Sequence, residues 1–196
     1  MEFNVNHYKQ KGKTCAIACM LMVLEYYHII PKANWFYEKK YDKCYHSHYM
    51  DGTPFSAIAW HLVKNGLDTE LIHSCETMFT NKDGFLSNDI FHNDMIEYNE
   101  YLEYAKEKGV KITNGVDITE KMIRQFLENG KFIILAGSLM NSFHAILICG
   151  YTNDSFIVCD PLDKKKSIKT SQELAKFMDT AIGKWCIAVS GCKKQI

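Results

Sequence analysis

The chain contains little proline, no excess of either charge and no long hydrophobic run. Only 3 of its 196 residues are proline, and neither a low-complexity linker nor an internal repeat is present. Lysine plus arginine and aspartate plus glutamate each number 23, so the formal net charge is zero and no nucleic-acid partner is indicated. No stretch reaches the ~20 apolar residues that a membrane-spanning helix needs. The sequence therefore predicts neither nucleic-acid binding nor a membrane span.

Features of an exported, disulfide-stabilised protein are also missing. Residues 1–8 contain no basic region followed by an apolar one, so we expect no secretory signal and a cytoplasmic location. Of the 8 cysteines, Cys19, Cys149, Cys159 and Cys186 lie in apolar runs, where a free thiol behaves as a small hydrophobic group. We therefore expect reduced thiols rather than a disulfide framework.

What the sequence does contain is enough apolar material for one good core. Hydrophobic residues make up 47% of the chain and aromatic residues 13%, which predicts a single domain over 1–196. Hydrophobic periodicity and turn residues predict helices at 15–28, 53–65, 95–108, 119–129 and 171–179, with a short helix or loop at 34–42. They predict strands at 67–72, 110–112, 131–136, 143–150, 156–160 and 185–190. This order indicates an α+β domain with helices first and an antiparallel sheet after them.

The most informative residue is Cys15, which opens the first apolar helical run after the hydrophilic loop Lys9–Thr14. The first turn of a helix favours an anion through its dipole and unpaired N–H groups, so a reactive thiolate is plausible there. The alternative is a buried helix thiol. A redox pair with Cys19 is a weaker interpretation, because the common dithiol motif separates its cysteines by two residues.

A base and an orienting group for such a nucleophile occur far downstream. Two β-branched runs around a Gly/Asn/Asp/Ser turn predict an antiparallel hairpin over 143–160. With the turn centred on Thr152, His144 would lie directly opposite Asp160, with their Cβ atoms about 5 Å apart. The alternative is a purely structural His–Asp hydrogen bond. If Cys15 is nearby, the three residues form a nucleophile, base and orienter.

The order of Gln10, Cys15, His144 and the Asp160-Pro161 step resembles the papain-like cysteine peptidases that process double-glycine leaders of bacteriocins, in particular the standalone domains without a transporter. The resemblance implies a papain-like α+β fold, in which N-terminal helices carry the nucleophile and pack on a C-terminal antiparallel sheet. It also implies that Cys15 is the nucleophile, His144 the general base, Asp160 the orienter and Gln10 an oxyanion-hole donor.

Two further segments carry the resemblance. Residues 55–67 resemble the second helix and glycine turn of the family, and residues 120–135 resemble the helix, glycine stop and buried strand before the histidine. The chain departs from the family pattern at Ala16, where glycine is usual, and in the spacing of five between Gln10 and Cys15. Residues 75–118 have no recognisable counterpart, so we interpret them as an insertion.

The implied activity is cleavage of a peptide or isopeptide bond through a thioester. Two alternatives stay open: a thiol acyltransferase that passes the acyl group to an amine, and a non-catalytic peptide-binding module. The expected partner is a peptide or protein substrate, and the chain would act alone or with a separately encoded partner. No cofactor or metal is expected, because the segment Cys44-Tyr45-His46-Ser47-His48 has no second ligand pair at standard spacing and is better explained as a polar loop than as a zinc site.

Overall fold

The computed structural model describes residues 1–48, 52–74, 88–139, 142–180 and 183–191. In chain order its elements are α1 (Cys15–Tyr26), α2 (Trp35–Tyr45), α3 (Phe55–Lys64), β1 (Asp68–His73), α4 (Asn88–Glu107), β2 (Lys111–Thr113), α5 (Glu120–Glu128), β3 (Phe132–Leu139), β4 (Ser142–Tyr151), β5 (Ser155–Cys159), β6 (Ser167–Thr170), α6 (Ser171–Met178) and β7 (Trp185–Ser190).

All seven of these strands form one sheet in the order β2-β1-β7-β3-β4-β5-β6. Strands β1 and β2 are parallel, and the other neighbouring pairs are antiparallel. The predicted α+β class is confirmed. The expectation of a purely antiparallel sheet is corrected to a mixed one, because the chain passes through α4 between β1 and β2 and returns in the same direction.

Helices cover both faces of the sheet and produce two hydrophobic clusters. On one face, α1 and α3 pack with side chains such as Leu147 and Ile187. On the other face, α5 and α6 pack with side chains such as Ile133 and Ile146. Strands β3, β4 and β7 therefore lie between two apolar layers. This explains why their sequences are continuously hydrophobic and do not alternate between apolar and polar residues.

Helix α1 is the central helix of the first face. Nine consecutive residues from Ala16 to Leu24 are buried, although periodicity alone predicts one apolar stripe. The helix is surrounded because α2 and α3 pack against it in addition to the sheet. It ends at Tyr26, two residues earlier than predicted, and His28 then adopts a left-handed backbone conformation with φ of 56°. Cys15 is thus held at the end of a rigid, fully packed element.

Several other boundaries differ from the prediction. Helix α2 continues to Tyr45, α4 begins at Asn88, and β6 was not predicted. Strand β6 is a sheet edge with an exposed Ile168, so it lacks the buried pattern that identifies the central strands. Within the segment interpreted as an insertion, residues 75–87 lie outside the described residues. The described remainder contributes α4, whose Tyr98 and Ala105 lie in the core.

Within the described part of the chain, no helix is long and apolar enough to cross a membrane. The same part of the chain contains no group of three or more His, Cys, Asp or Glu side chains arranged to hold a metal ion. In the segment predicted to be a polar loop, Cys44 and Tyr45 instead belong to the end of α2. His46 contacts Asp42 through one hydrogen bond, and His48 contacts Glu97 through its ring and its backbone N–H.

Candidate active site

Cys15 is the first residue of α1 and is partly exposed. The next cysteine, Cys19, is fully buried one turn deeper, and its thiol approaches the carbonyl oxygen of Ala145 on β4 at 3.6 Å. This contact seats the first turns of α1 against the end of β4 that carries His144. The helix therefore places the accessible thiol of Cys15 near the end of β4 and the buried thiol of Cys19 one turn deeper.

His144 and Asp160 are in direct contact. His144 Nε2 donates to Asp160 Oδ1 at 2.7 Å, and the two residues are only 6% and 7% exposed. A second donor, the backbone N–H of Leu162, reaches the same carboxylate oxygen at 3.0 Å. Because Nε2 is occupied by Asp160, Nδ1 is the ring nitrogen left for Cys15, which lies close enough to His144 to help raise the pKa of its ring. The three sequence-predicted residues are thus brought together.

The register that was predicted for this hairpin is wrong. Cys159 lies opposite Leu147, so by continuation Asp160 faces Ile146 and is the diagonal neighbour of His144. The turn is centred on residues 153–154, with the Thr152 N–H donating to Ser155 O at 2.8 Å. A diagonal pair on one face of a sheet is still within reach of a histidine and a carboxylate.

A β-bulge between Ile148 and Gly150 makes this contact possible. The pairing near the turn, Tyr151 with Phe156, would place Asp160 on the opposite face from His144 if it continued without interruption. The extra residue in β4 restores the shared face. Gly150 itself is pressed against the N-terminal segment, since a Cβ there would lie 2.6 Å from Met1 O. The bulge therefore lies where residues 1–3 add to the sheet.

The electrostatics of the pair favour a charged imidazole. Burial lowers the pKa of His144, but the hydrogen bonds with Asp160 and Cys15, and their negative charges, outweigh burial and raise it to about 9. Burial raises the pKa of Asp160, but the hydrogen bonds from His144 and the Leu162 N–H hold it below its ordinary value. His144 is thus kept protonated near neutral pH while Asp160 stays ionised.

Phe177 of α6 packs against the ring of His144. Its ring meets the His144 ring edge-on, with the centroids 6.2 Å apart. Gly137 of β3 pairs with His144 and lets α6 approach closely, because a Cβ at this position would lie 2.3 Å from both the Phe177 ring and its carbonyl oxygen. This glycine is therefore required by close packing.

Gln10 lies close to Asp160 because the backbone of its loop contacts the Asp160-Pro161 step. Its N–H donates to Pro161 O at 2.9 Å, directly after Asp160. Its side-chain amide donates to Gly12 O at 2.7 Å, and its Oε1 is buried without a hydrogen-bond partner. An amide nitrogen carries two N–H donors, so this bond uses one of them. In this arrangement Gln10 is attached to the loop that precedes Cys15.

Sequence reasoning missed two residues beside the site. Phe177 has no motif, although Gly137 in an otherwise β-branched strand signals a close approach. Glu38 is fully buried at the start of α2 and contacts the loop before Cys15. No sequence signal identifies Glu38, because it stands in a run of charged residues that is typical of a solvated helix face.

Other buried cysteines and a buried histidine of the described residues lie outside this site. Cys149, Cys159 and Cys186 are buried in the sheet core, with the first two sulfurs 3.8 Å apart. His61 is buried between the Tyr45 hydroxyl and Asn65. Burial and the charges of Lys64 and Lys40 lower the pKa of His61 to about 4.

Comparison with known proteins identifies a family. The model of the Peptidase_C39 like family matches residues 2–186. This range contains α1 with Cys15, the β4–β5 hairpin and every strand except the last residues of β7. A search of curated proteins gave no match.

Proposed function

Since the chain belongs to the Peptidase_C39 like family, and is thus cysteine peptidase-like, we propose that it cleaves a peptide or isopeptide bond through a thioester at Cys15. The observation that carries this proposal is that Asp160 holds His144 by a hydrogen bond while Cys15 lies beside the same imidazole. A thiol next to a base whose other nitrogen is held by a carboxylate has the arrangement required for nucleophilic catalysis.

In the proposed first half-reaction, Cys15 and His144 form a thiolate–imidazolium pair, in which the Cys15 proton already lies on His144 Nδ1, and the sulfur attacks the substrate carbonyl carbon. Asp160 holds the ring through Nε2 and stabilises the imidazolium. The negative charge that develops on the substrate oxygen is stabilised by the Cys15 backbone N–H and the second N–H of Gln10. The C–N bond then breaks, and His144 donates its proton to the leaving amine.

In the second half-reaction, water attacks the thioester while His144 accepts one of its protons. The C–S bond breaks, the acid product leaves, and the Cys15 thiolate and the protonated His144 are restored as a pair. No cofactor or metal participates in this scheme. The raised pKa of His144 suits this cycle, because the imidazolium is the acid that the leaving amine needs at neutral pH.

The test is cleavage of an unbiased peptide mixture by the wild-type protein, with new peptide ends identified by mass spectrometry. Cys15→Ala and His144→Ala are the controls, with folding checked by circular dichroism. We expect new ends in the wild-type sample and none with Cys15→Ala. Equal products from the wild type and Cys15→Ala would refute the proposal, and peptides retained without cleavage would indicate a binding module instead. With glycinamide added, amide-terminated products would assign acyl transfer rather than hydrolysis.

A further inference from the structure

The side chain of Glu38 is 0% exposed and is surrounded by donors from one short segment. Its Oε1 accepts the backbone N–H groups of Lys11 at 2.9 Å and Gly12 at 3.0 Å, and also the Thr14 hydroxyl. Its Oε2 accepts the Tyr8 hydroxyl. A carboxylate has about four acceptor positions, so these four bonds satisfy it. All four donors come from residues 8–14, which end directly at Cys15.

The neighbouring Tyr8 is strongly affected by its contact with Glu38. Burial, the hydrogen bond to Glu38 and the Glu38 charge together raise the pKa of Tyr8 well above its ordinary value. Hydrogen bonds to a charged acceptor are roughly twice as strong as neutral ones. Glu38 is thus a strong attachment point rather than one of several weak contacts.

The same segment is attached on its other side to the residues that hold His144. The Gln10 N–H donates to Pro161 O, and His7 Nε2 donates to the carbonyl oxygen of Asp160, both at 2.9 Å. Residues 7–14 therefore connect α2, through Glu38, to the end of β5, through the Asp160-Pro161 step. The position of this loop sets where the thiol meets the imidazole.

The bond between Thr14 and Glu38 affects how the first turn of α1 is capped. It is the N-cap of α1, yet its side chain accepts no bond from the first turn of the helix. The N-cap residues Asn34, Thr119 and Thr170 of other helices do accept such bonds. The Thr14 hydroxyl donates to Glu38 instead. The first-turn N–H groups beside Cys15 are thereby left without a side-chain cap, as an anion at the thiol or the substrate oxygen requires.

We propose that Glu38 is a positioning residue for the nucleophile, which holds residues 8–14 in the shape that sets Cys15 against His144 and keeps the first turn of α1 uncapped. This inference rests on the proposed function of Cys15. Glu38 acts through the loop and does not itself touch the substrate or the reacting atoms.

The experiment measures the rate at which iodoacetamide alkylates Cys15 at pH 7, with mass-spectrometric assignment, so that no substrate is needed. Exposed Cys44 serves as an internal reference. Glu38→Ala removes all four bonds, and we expect it to slow Cys15 alkylation at least about tenfold, since small misplacements of reacting groups carry such costs. Glu38→Gln can turn its oxygen to the three donors on Oε1 and its amide to Tyr8, so we expect it to retain the wild-type rate within about threefold.

Glu70→Ala is the matched control. Glu70 is also a buried glutamate, bonded to Thr113 and Lys111 at the far edge of the sheet, so its loss should lower stability without slowing Cys15. If Glu38→Ala does not fold, the pair Thr14→Ser and Thr14→Val replaces it. We expect the serine variant to retain the rate and the valine variant to lose about tenfold or more.

The outcomes separate this inference from the proposed function. If Cys15 in the wild type is no more reactive than Cys44, the proposed function fails, and the inference fails with it. If wild-type Cys15 is reactive but Glu38→Ala, or Thr14→Val in its place, reacts equally fast, the inference alone is overturned. A loss in Glu38→Ala that Glu70→Ala reproduces would also overturn it, because general destabilisation would then explain the effect.

Discussion

Replacing Asp160 by asparagine should lower the pKa of His144. The folded value of about 9 exceeds the ordinary 6.5 by about 2.5, which corresponds to ~3.4 kcal/mol in favour of the imidazolium. Asp160 and Cys15 share this contribution. Asparagine can still accept the bond from Nε2 but carries no charge, so we expect the pKa to fall by about 1 to 2, or ~1.4–2.7 kcal/mol.

The assay is an NMR titration of the His144 ring after selective histidine labelling, with the resonance assigned from a His144→Gln spectrum. Asp163→Asn is the matched control, because Asp163 is an exposed carboxylate in the same loop and its replacement removes the same charge. The control should leave the His144 titration close to the wild-type one. An unchanged pKa in Asp160→Asn, or an equal fall in Asp163→Asn, would refute the electrostatic account of the pair.

Two further predictions concern stability and packing. His61 has a folded pKa of about 4 and an ordinary value of 6.5, so its contribution to stability is present above pH 6.5 and lost as the pH falls toward 4. In urea unfolding, the loss of stability between pH 7 and pH 5 should be about 2 kcal/mol larger in the wild type than in His61→Gln, and an equal loss in both proteins would contradict this assignment. Gly137→Ala should lower stability by about 1–3 kcal/mol and slow Cys15 alkylation, because the new methyl group would collide with Phe177 and displace it from His144. Unchanged thermal unfolding and alkylation in that variant would rule out the proposed contact.

The sequence alone predicts those helices, strands and turns whose signals lie in neighbouring residues of the chain. The apolar run after Cys15 and the hydrophobic strand before His144 were identified, and so was the hairpin turn, although it was centred on Thr152 instead of on residues 153–154. The two faces of the hairpin were also predicted correctly, with Ile146 and Val158 on one side and Leu147 and Cys159 on the other. These predictions succeeded because burial on both sides imposes a continuous apolar pattern on a strand.

The sequence could not predict features that depend on contacts between distant segments. The bulge at Gly150 is set by the N-terminal residues Met1 and Glu2, which lie about 150 positions away in the chain. The buried carboxylate of Glu38 is surrounded by charged sequence neighbours, and only the folded loop supplies its donors. The support that Phe177 gives to His144 likewise appears only when α6 packs on β3.

The most direct test of the central claim compares Cys15 with Cys44 in the wild type and in His144→Ala, by iodoacetamide alkylation at pH 7 with site assignment by mass spectrometry. Cys44 is exposed and Cys15 only partly so, which means that exposure alone would make Cys44 react faster. If His144 activates the thiol, Cys15 reacts faster than Cys44 in the wild type and loses this advantage in His144→Ala. A Cys15 that reacts no faster than Cys44, or equally fast in both proteins, would contradict the account.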